Sequence, residues 1–194
     1  MASTQIDGFT AKVATATAGT AVLADATFAI FAVAGQPWGS INDACYAASG
    51  LVAAALAWRL RATTGSALAG VAVAGGVVVA IGSALVISGT TGWLLAGFVS
   101  TVGFGLIGPA VMTASSKLAA AGAISPRLGT LGRWAGAFAI FGLTAAIPAA
   151  QRIDDPAMAP WWAWLPFFGW LGGAILIPAW AFGLARRGRA QSAA

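Results

Sequence analysis

The chain contains no histidine and no glutamate, holds a single cysteine, Cys45, and draws only 8% of its residues from the charged types. Lacking imidazole and a second thiol, it cannot supply a haem held by His, a zinc site of the usual kind, an iron–sulfur cluster, a CxxC redox pair or an internal disulfide. Nucleophilic triads that use His are excluded as well. No metal and no cofactor is expected.

The shortage of charge excludes a second class. A soluble domain carries about a quarter charged residues because its surface faces water. Here 59% of the residues are apolar, which puts lipid around most of the chain. The net charge of +5 does not point to nucleic acid, because the ten cations sit singly or in small groups at the ends of apolar runs rather than in a stripe. The first residues, MASTQIDGFTAK, lack a basic region followed at once by an apolar run and a small-residue cleavage site, so no removable signal peptide is expected. Heavy Ala and Gly usage, with Arg favoured over Lys by eight to two, suggests a bacterial source.

What is present is a series of apolar runs. A helix needs about 20 mostly apolar residues to cross the hydrocarbon core. Six segments meet that length, at about 13–35, 40–58, 66–88, 93–115, 131–150 and 161–185. The expected fold is therefore all-α: one integral membrane domain over 1–194, a bundle of six transmembrane helices. Turn chemistry separates the runs. Gln36-Pro37-Trp38-Gly39-Ser40 reverses the chain after the first, and Ser40 with Asp43 has capping-box spacing for the second.

Two counts bear on the threading. With the N-terminus inside, nine cations (Lys12, Arg59, Arg61, Lys117, Arg127, Arg133, Arg186, Arg187, Arg189) fall on the cytoplasmic side and Arg152 alone outside. The tryptophans divide the same way: Trp38, Trp93, Trp161, Trp162 and Trp164 at the outer headgroup level, Trp58, Trp134 and Trp180 at the inner, and Trp170 alone at mid-depth. Both termini are expected in the cytoplasm, and the location is the bacterial inner membrane.

Close packing in lipid depends on small residues that let backbones approach. The pairs Gly132/Gly136 and Gly169/Gly173, and the stripe Gly97, Thr101, Gly105, are read as internal packing surfaces. Pro109, Pro148, Pro166 and Pro178 are expected to kink or end their helices.

Asp25 is the sharpest candidate for chemistry, since a carboxylate inside a membrane costs about 2.5–3.5 kcal/mol and is by default a functional hypothesis. It lies 13 residues from Lys12, about 20 Å from the inner surface, whereas Lys117 belongs to the inner headgroups and is out of reach. Tyr46, Thr101 and Thr144 fall within reach of the same depth. Two roles follow: a proton or cation relay or cavity wall, or a hydrogen-bonding group that fixes the first helix to its neighbours. A second cluster, Asn42 and Asp43 with Asp154 and Asp155, stands on the outer face. Its oxygens suit a hard cation, but no loop has the alternating ligand spacing of a calcium motif, and capping and a solvated turn explain it more simply.

The leading expectation is a non-enzymatic accessory, sensory or assembly component. The alternatives are a small transporter or channel-like protein using Asp25, and an intramembrane enzyme acting on lipids. The expected partners are the lipid bilayer and not nucleic acid, with a protein partner or a second copy left open.

Overall fold

The computed structural model describes residues 6–192, and within them the chain is helical throughout its regular structure, without a strand. Helix α1 spans Gly8–Ala34, α2 Trp38–Arg59, the single turn α3 Arg61–Thr64, α4 Ser66–Ile87, α5 Trp93–Ala120 and α6 Pro126–Phe141. A 3₁₀ turn, Gly142–Ala145, joins α6 to α7, Ala146–Ala150. The last run comprises a 3₁₀ turn at Trp161–Trp164, α8 at Phe167–Trp170, a π turn at Leu171–Leu176 and α9 at Ile177–Ser192.

Five helical stretches are long and apolar enough to cross a membrane: Gly8–Ala34, Ser66–Ile87, Trp93–Ala120, Pro126–Ala150 and Trp161–Gln191. Helix α2 has the length, 22 residues, but Ser40, Asn42 and Asp43 near its start make it less apolar than the others.

Several boundaries move outward from the apolar runs, for one reason: a run begins where lipid begins, whereas a helix begins at its cap. Helix α1 starts at Gly8 rather than 13 because the Asp7 side chain accepts a hydrogen bond from the Thr10 N–H at 2.6 Å. Helix α6 starts at Pro126 rather than 131, with the Ser125 hydroxyl accepting from the Leu128 N–H at 3.3 Å and proline in the first turn. Helix α5 continues past 115 to Ala120, where Gly122 at φ +69° closes it and the Ala123 N–H donates to the Leu118 carbonyl. The last run likewise continues past 185 to Ser192. Helix α2 starts at Trp38, two residues before the expected cap. Ser40 is thus already helical, its hydroxyl lies 3.4 Å from Gln36 Oε1, and no capping box forms.

The prolines change helical pitch more than they end helices. Helix α5 runs unbroken through Pro109. Pro148 has no N–H for the Thr144 carbonyl, and the turn that contains Thr144 is tightened to 3₁₀. Pro178 deprives the Ala174 carbonyl in the same way, and there the backbone widens into the π turn.

Successive long helices pack as neighbours, α1 on α2, α2 on α4, α4 on α5 and α5 on α6, and the last run closes the bundle between α6 and α1. Helix α5 is the central one, with 67% of its apolar stretch buried, about twice the share of α1, α4 or α6. Its Phe104 and Ile107 share a core with Leu56, Val79, Ile177 and Leu184 of the surrounding helices.

Backbone contact sets the spacing. A Cβ on Gly75 would lie 2.5 Å from the Gly103 carbonyl oxygen, and one on Gly103 2.6 Å from that of Gly75. Gly108 and Gly136 stand in the same reciprocal relation at 2.6 Å, joining α5 to α6. Gly142 and Gly169 meet backbone to backbone and bring the last run in. The small-residue pairs are internal, with Gly132 against Ser115 and Trp180, and Gly173 against the Phe104 ring. Thr101 and Gly105 pack on Gly142 and Leu143, while Gly97 faces open space.

Trp180 differs from the other tryptophans near the helix ends in facing inward rather than outward. It is 1% exposed, deep among the helices, while Trp58 and Trp134 at one end and Trp93, Trp161 and Trp164 at the other are exposed. Space freed by Gly132 admits the indole.

These contacts predict a sharp contrast between two glycines on α5. Gly108→Leu should force α5 and α6 apart and cost about 3 kcal/mol or more, beyond ordinary core overpacking. Gly97→Leu should be neutral or slightly stabilising, since leucine is the better helix former. Thermal unfolding of the detergent-solubilised variants measures both, and equal midpoints would refute the packing.

Candidate functional site

Helix α1 turns Ala14, Thr17, Ala21, Ala24 and Thr27 inward. The hydroxyls of Thr17 and Thr27 donate to the carbonyls of Val13 and Leu23 in their own helix, at 3.0 and 2.8 Å. Asp25 lies on the flank of this face and is partly exposed. Tyr46 of α2 lies within electrostatic reach of its carboxyl group, and the Trp170 indole stands beside the Tyr46 hydroxyl. That hydroxyl is closed off from solvent and completes no hydrogen bond of ordinary geometry. The Tyr46 ring meets Phe104 edge-on at 5.5 Å, and Phe104 in turn rests on Gly173.

The three polar groups share a level. Asp25 is ten residues from Gly35, Tyr46 eight from Trp38 and Trp170 six from Trp164, or about 15, 12 and 9 Å along their helices. The π turn that follows Trp170 adds a residue to its turn and rotates the preceding segment by about 100° relative to a continuous α-helix.

Of the four mid-depth candidates, the structure brings together Asp25 and Tyr46 and leaves out the other two. Thr101 donates to the Gly97 carbonyl at 2.7 Å and Thr144 to that of Phe141 at 2.8 Å. Neither bonds to Asp25, whose helix packs against α2 and the last run rather than α5 or α6. Counting residues gives depth but not position around the bundle. Among the described residues no hydrogen bond to the Asp25 side chain forms. Trp170 is the residue that counting by depth passed over, and its signal was there: it is the one tryptophan away from both headgroup levels.

The outer-face residues are also divided. Asp154 accepts from the backbone N–H groups of Gly92 at 2.6 Å and Leu95 at 3.1 Å, and so caps α5 from a distant loop. This is more than a solvated turn. Asp155 accepts from the Ala157 N–H at 2.9 Å within its own loop. Asn42 and Asp43 sit side by side in the early turns of α2, past the position a cap would occupy. No group of three His, Cys, Asp or Glu able to hold a metal occurs among the described residues. Cys45 is a free, partly buried thiol.

A small hollow lies elsewhere, between Ala53 and Leu56 of α2, Val111 of α5 and Trp180 of α9. It is apolar, is too narrow for a water molecule and does not reach Asp25. No protein-family model, curated protein or solved structure matches the chain.

At the opposite end of α1 the described chain ends are drawn together. The Ile6 N–H donates to Gln191 Oε1 at 3.2 Å, and Arg59 pairs with Asp7 at 2.9 Å while its guanidinium lies 4.9 Å from the Phe9 ring centroid. The hydrogen bond from the Thr10 amide, followed by the charge of Arg59, holds the Asp7 carboxyl below the ordinary aspartate value of 3.8. A depressed carboxyl pKa adds stability that is complete above 3.8 and lost as pH falls through the lower folded-state value. Asp7→Ala should cost about 1 kcal/mol at neutral pH through loss of the cap. Its acid unfolding curve should converge on that of the parent protein below about pH 4. A gap that stays constant down to pH 2 would contradict the assignment.

Proposed function

We propose that the chain is a bacterial inner-membrane protein that crosses the bilayer six times, α2 included, with both termini in the cytoplasm, and that serves as a non-catalytic accessory or assembly component. The 22 residues of α2, about 33 Å of helix between two apolar neighbours, support its place as a span. The gathering of nine cations with both described chain ends at one end of the bundle supports the orientation.

The observation that carries the functional reading is where the intramembrane carboxylate lies. Asp25 sits at the rim of a bundle whose helices meet backbone to backbone, with Tyr46 and Trp170 behind it. A relay needs a connected chain of titratable or hydrated groups leading away from such a carboxylate; the neighbouring helices offer Tyr46, the Trp170 indole and, one turn from Tyr46 on α2, Asp43, and among the described residues no hydrogen bond joins Asp25 to any of them. Lipid chemistry would need a general acid and base within reach of one another, and Lys117 and Asp25 are on different helices at different depths. A protein that binds through its outer surface fits a closed interior and a polar group left at the edge.

The reading is tested in vesicles of phosphatidylethanolamine and phosphatidylglycerol containing the purified chain and a pH-sensitive dye. Proton and potassium fluxes should equal those of empty vesicles and stay there in Asp25→Asn. A flux that the protein supports and Asp25→Asn abolishes would overturn it in favour of a small transporter.

A further inference from the structure

We infer that the seam between the outer half of α1 and the last run is a docking face for a transmembrane helix of a partner protein that carries a lysine or arginine at mid-depth, paired with Asp25. The inference rests on the accessory reading and names the partner's chemistry.

A helix packed along one side buries a residue every three or four positions. The inner half of α1 does so, but no position from 28 to 34 is buried, and Val33 is 91% exposed. Helix α1 packs along α9, touches the π turn and then parts from the last run, which there presents the exposed Phe167, stacked on Trp170 at 4.8 Å, while Phe168 turns to Phe138 and Phe141 of α6. Asp25 stands where the two separate, partly exposed.

Charge decides among the occupants of this seam. The chain brings no cation to the level of Asp25: Lys12 and Arg59 lie at the opposite end of α1 and α2, and Arg186 is 16 residues beyond Trp170. Ionisable side chains inside membranes pair with one another or face water, and the neighbours here are tyrosine and indole, with a further carboxylate, Asp43, one turn from Tyr46 on α2. A lipid acyl chain offers the carboxylate nothing. A second copy would bring only another Asp25 to that depth, and like charges repel. A basic side chain on an apolar helix supplies the missing charge, and the exposed Phe28 and Val33 supply apolar contact beside it.

The experiment uses the full chain in phosphatidylethanolamine and phosphatidylglycerol vesicles with three labelled Leu/Ala helices, read by energy transfer. One has lysine at its centre, one leucine there, and one lysine moved to the end. The central-lysine helix should associate about tenfold more strongly than the other two, in line with polar contacts between model membrane helices. Asp25→Asn should bring it down to their level, and Asp25→Leu likewise. Equal association of all three helices overturns the inference, and that comparison needs no variant of the chain. Energy transfer between two labelled copies that Asp25→Asn abolishes also overturns it, giving the face to a second copy. Ion flux, measured in the same vesicles, overturns the accessory reading itself and leaves a distinct signature from unselective helix binding.

Discussion

The structure depends on glycine carbonyls and α-carbons meeting across helix interfaces. In lipid the apolar side chains gain nothing by leaving their surroundings, so attraction between helices must come from close van der Waals contact and from the dipoles of opposed backbones. Gly75 with Gly103, and Gly108 with Gly136, bring α4 and α6 onto α5 from two sides, and Gly142 with Gly169 brings in the last run. Each pair fails if either member gains a side chain. The high glycine content is therefore a set of paired contacts as well as a compositional habit.

Close approach has a consequence for polar groups. Where backbones touch, no water-filled path fits between them, and a carboxylate cannot be accommodated at the centre. Asp25 is instead held on the flank of α1, on the side where α1 parts from the last run. The prolines complete the arrangement from a distance. Pro178 leaves the Ala174 carbonyl without its usual donor, and the backbone widens into the π turn between Trp170, which stands beside the Tyr46 hydroxyl, and α9.

Much of this was legible in the residues. Runs of apolar side chains located the long helices, and the small-residue pairs at Gly132/Gly136 and Gly169/Gly173 pointed to internal contacts. Residue counting also put Asp25 and Tyr46 at one depth. What could not be read was angle. Thr101 and Thr144 share that depth but belong to a different side of the bundle, and nothing in their spacing along the chain says so. Trp180 shows a related limit: interfacial preference speaks to its level but not to its direction, and a cleft made by Gly132 takes the indole in among the helices. Caps were legible and outweighed by hydropathy. Asp7 before α1 and the Ser125-Pro126 pair before α6 are ordinary start signals that lie outside the apolar runs. Asp154 was not legible, since its two backbone partners are about 60 residues away.

The account turns on Asp25 lying at a lipid-facing rim at mid-depth rather than beside a water path. A nitroxide attached at Asp25→Cys in a Cys45→Ala background, with the protein in vesicles, reports this directly through its collisions with dissolved oxygen and with a water-soluble nickel chelate. Frequent collisions with oxygen and few with nickel are predicted. Nickel collisions as frequent as those of a label in the loop at Asp155 would mean that water reaches the carboxylate, and would contradict the account.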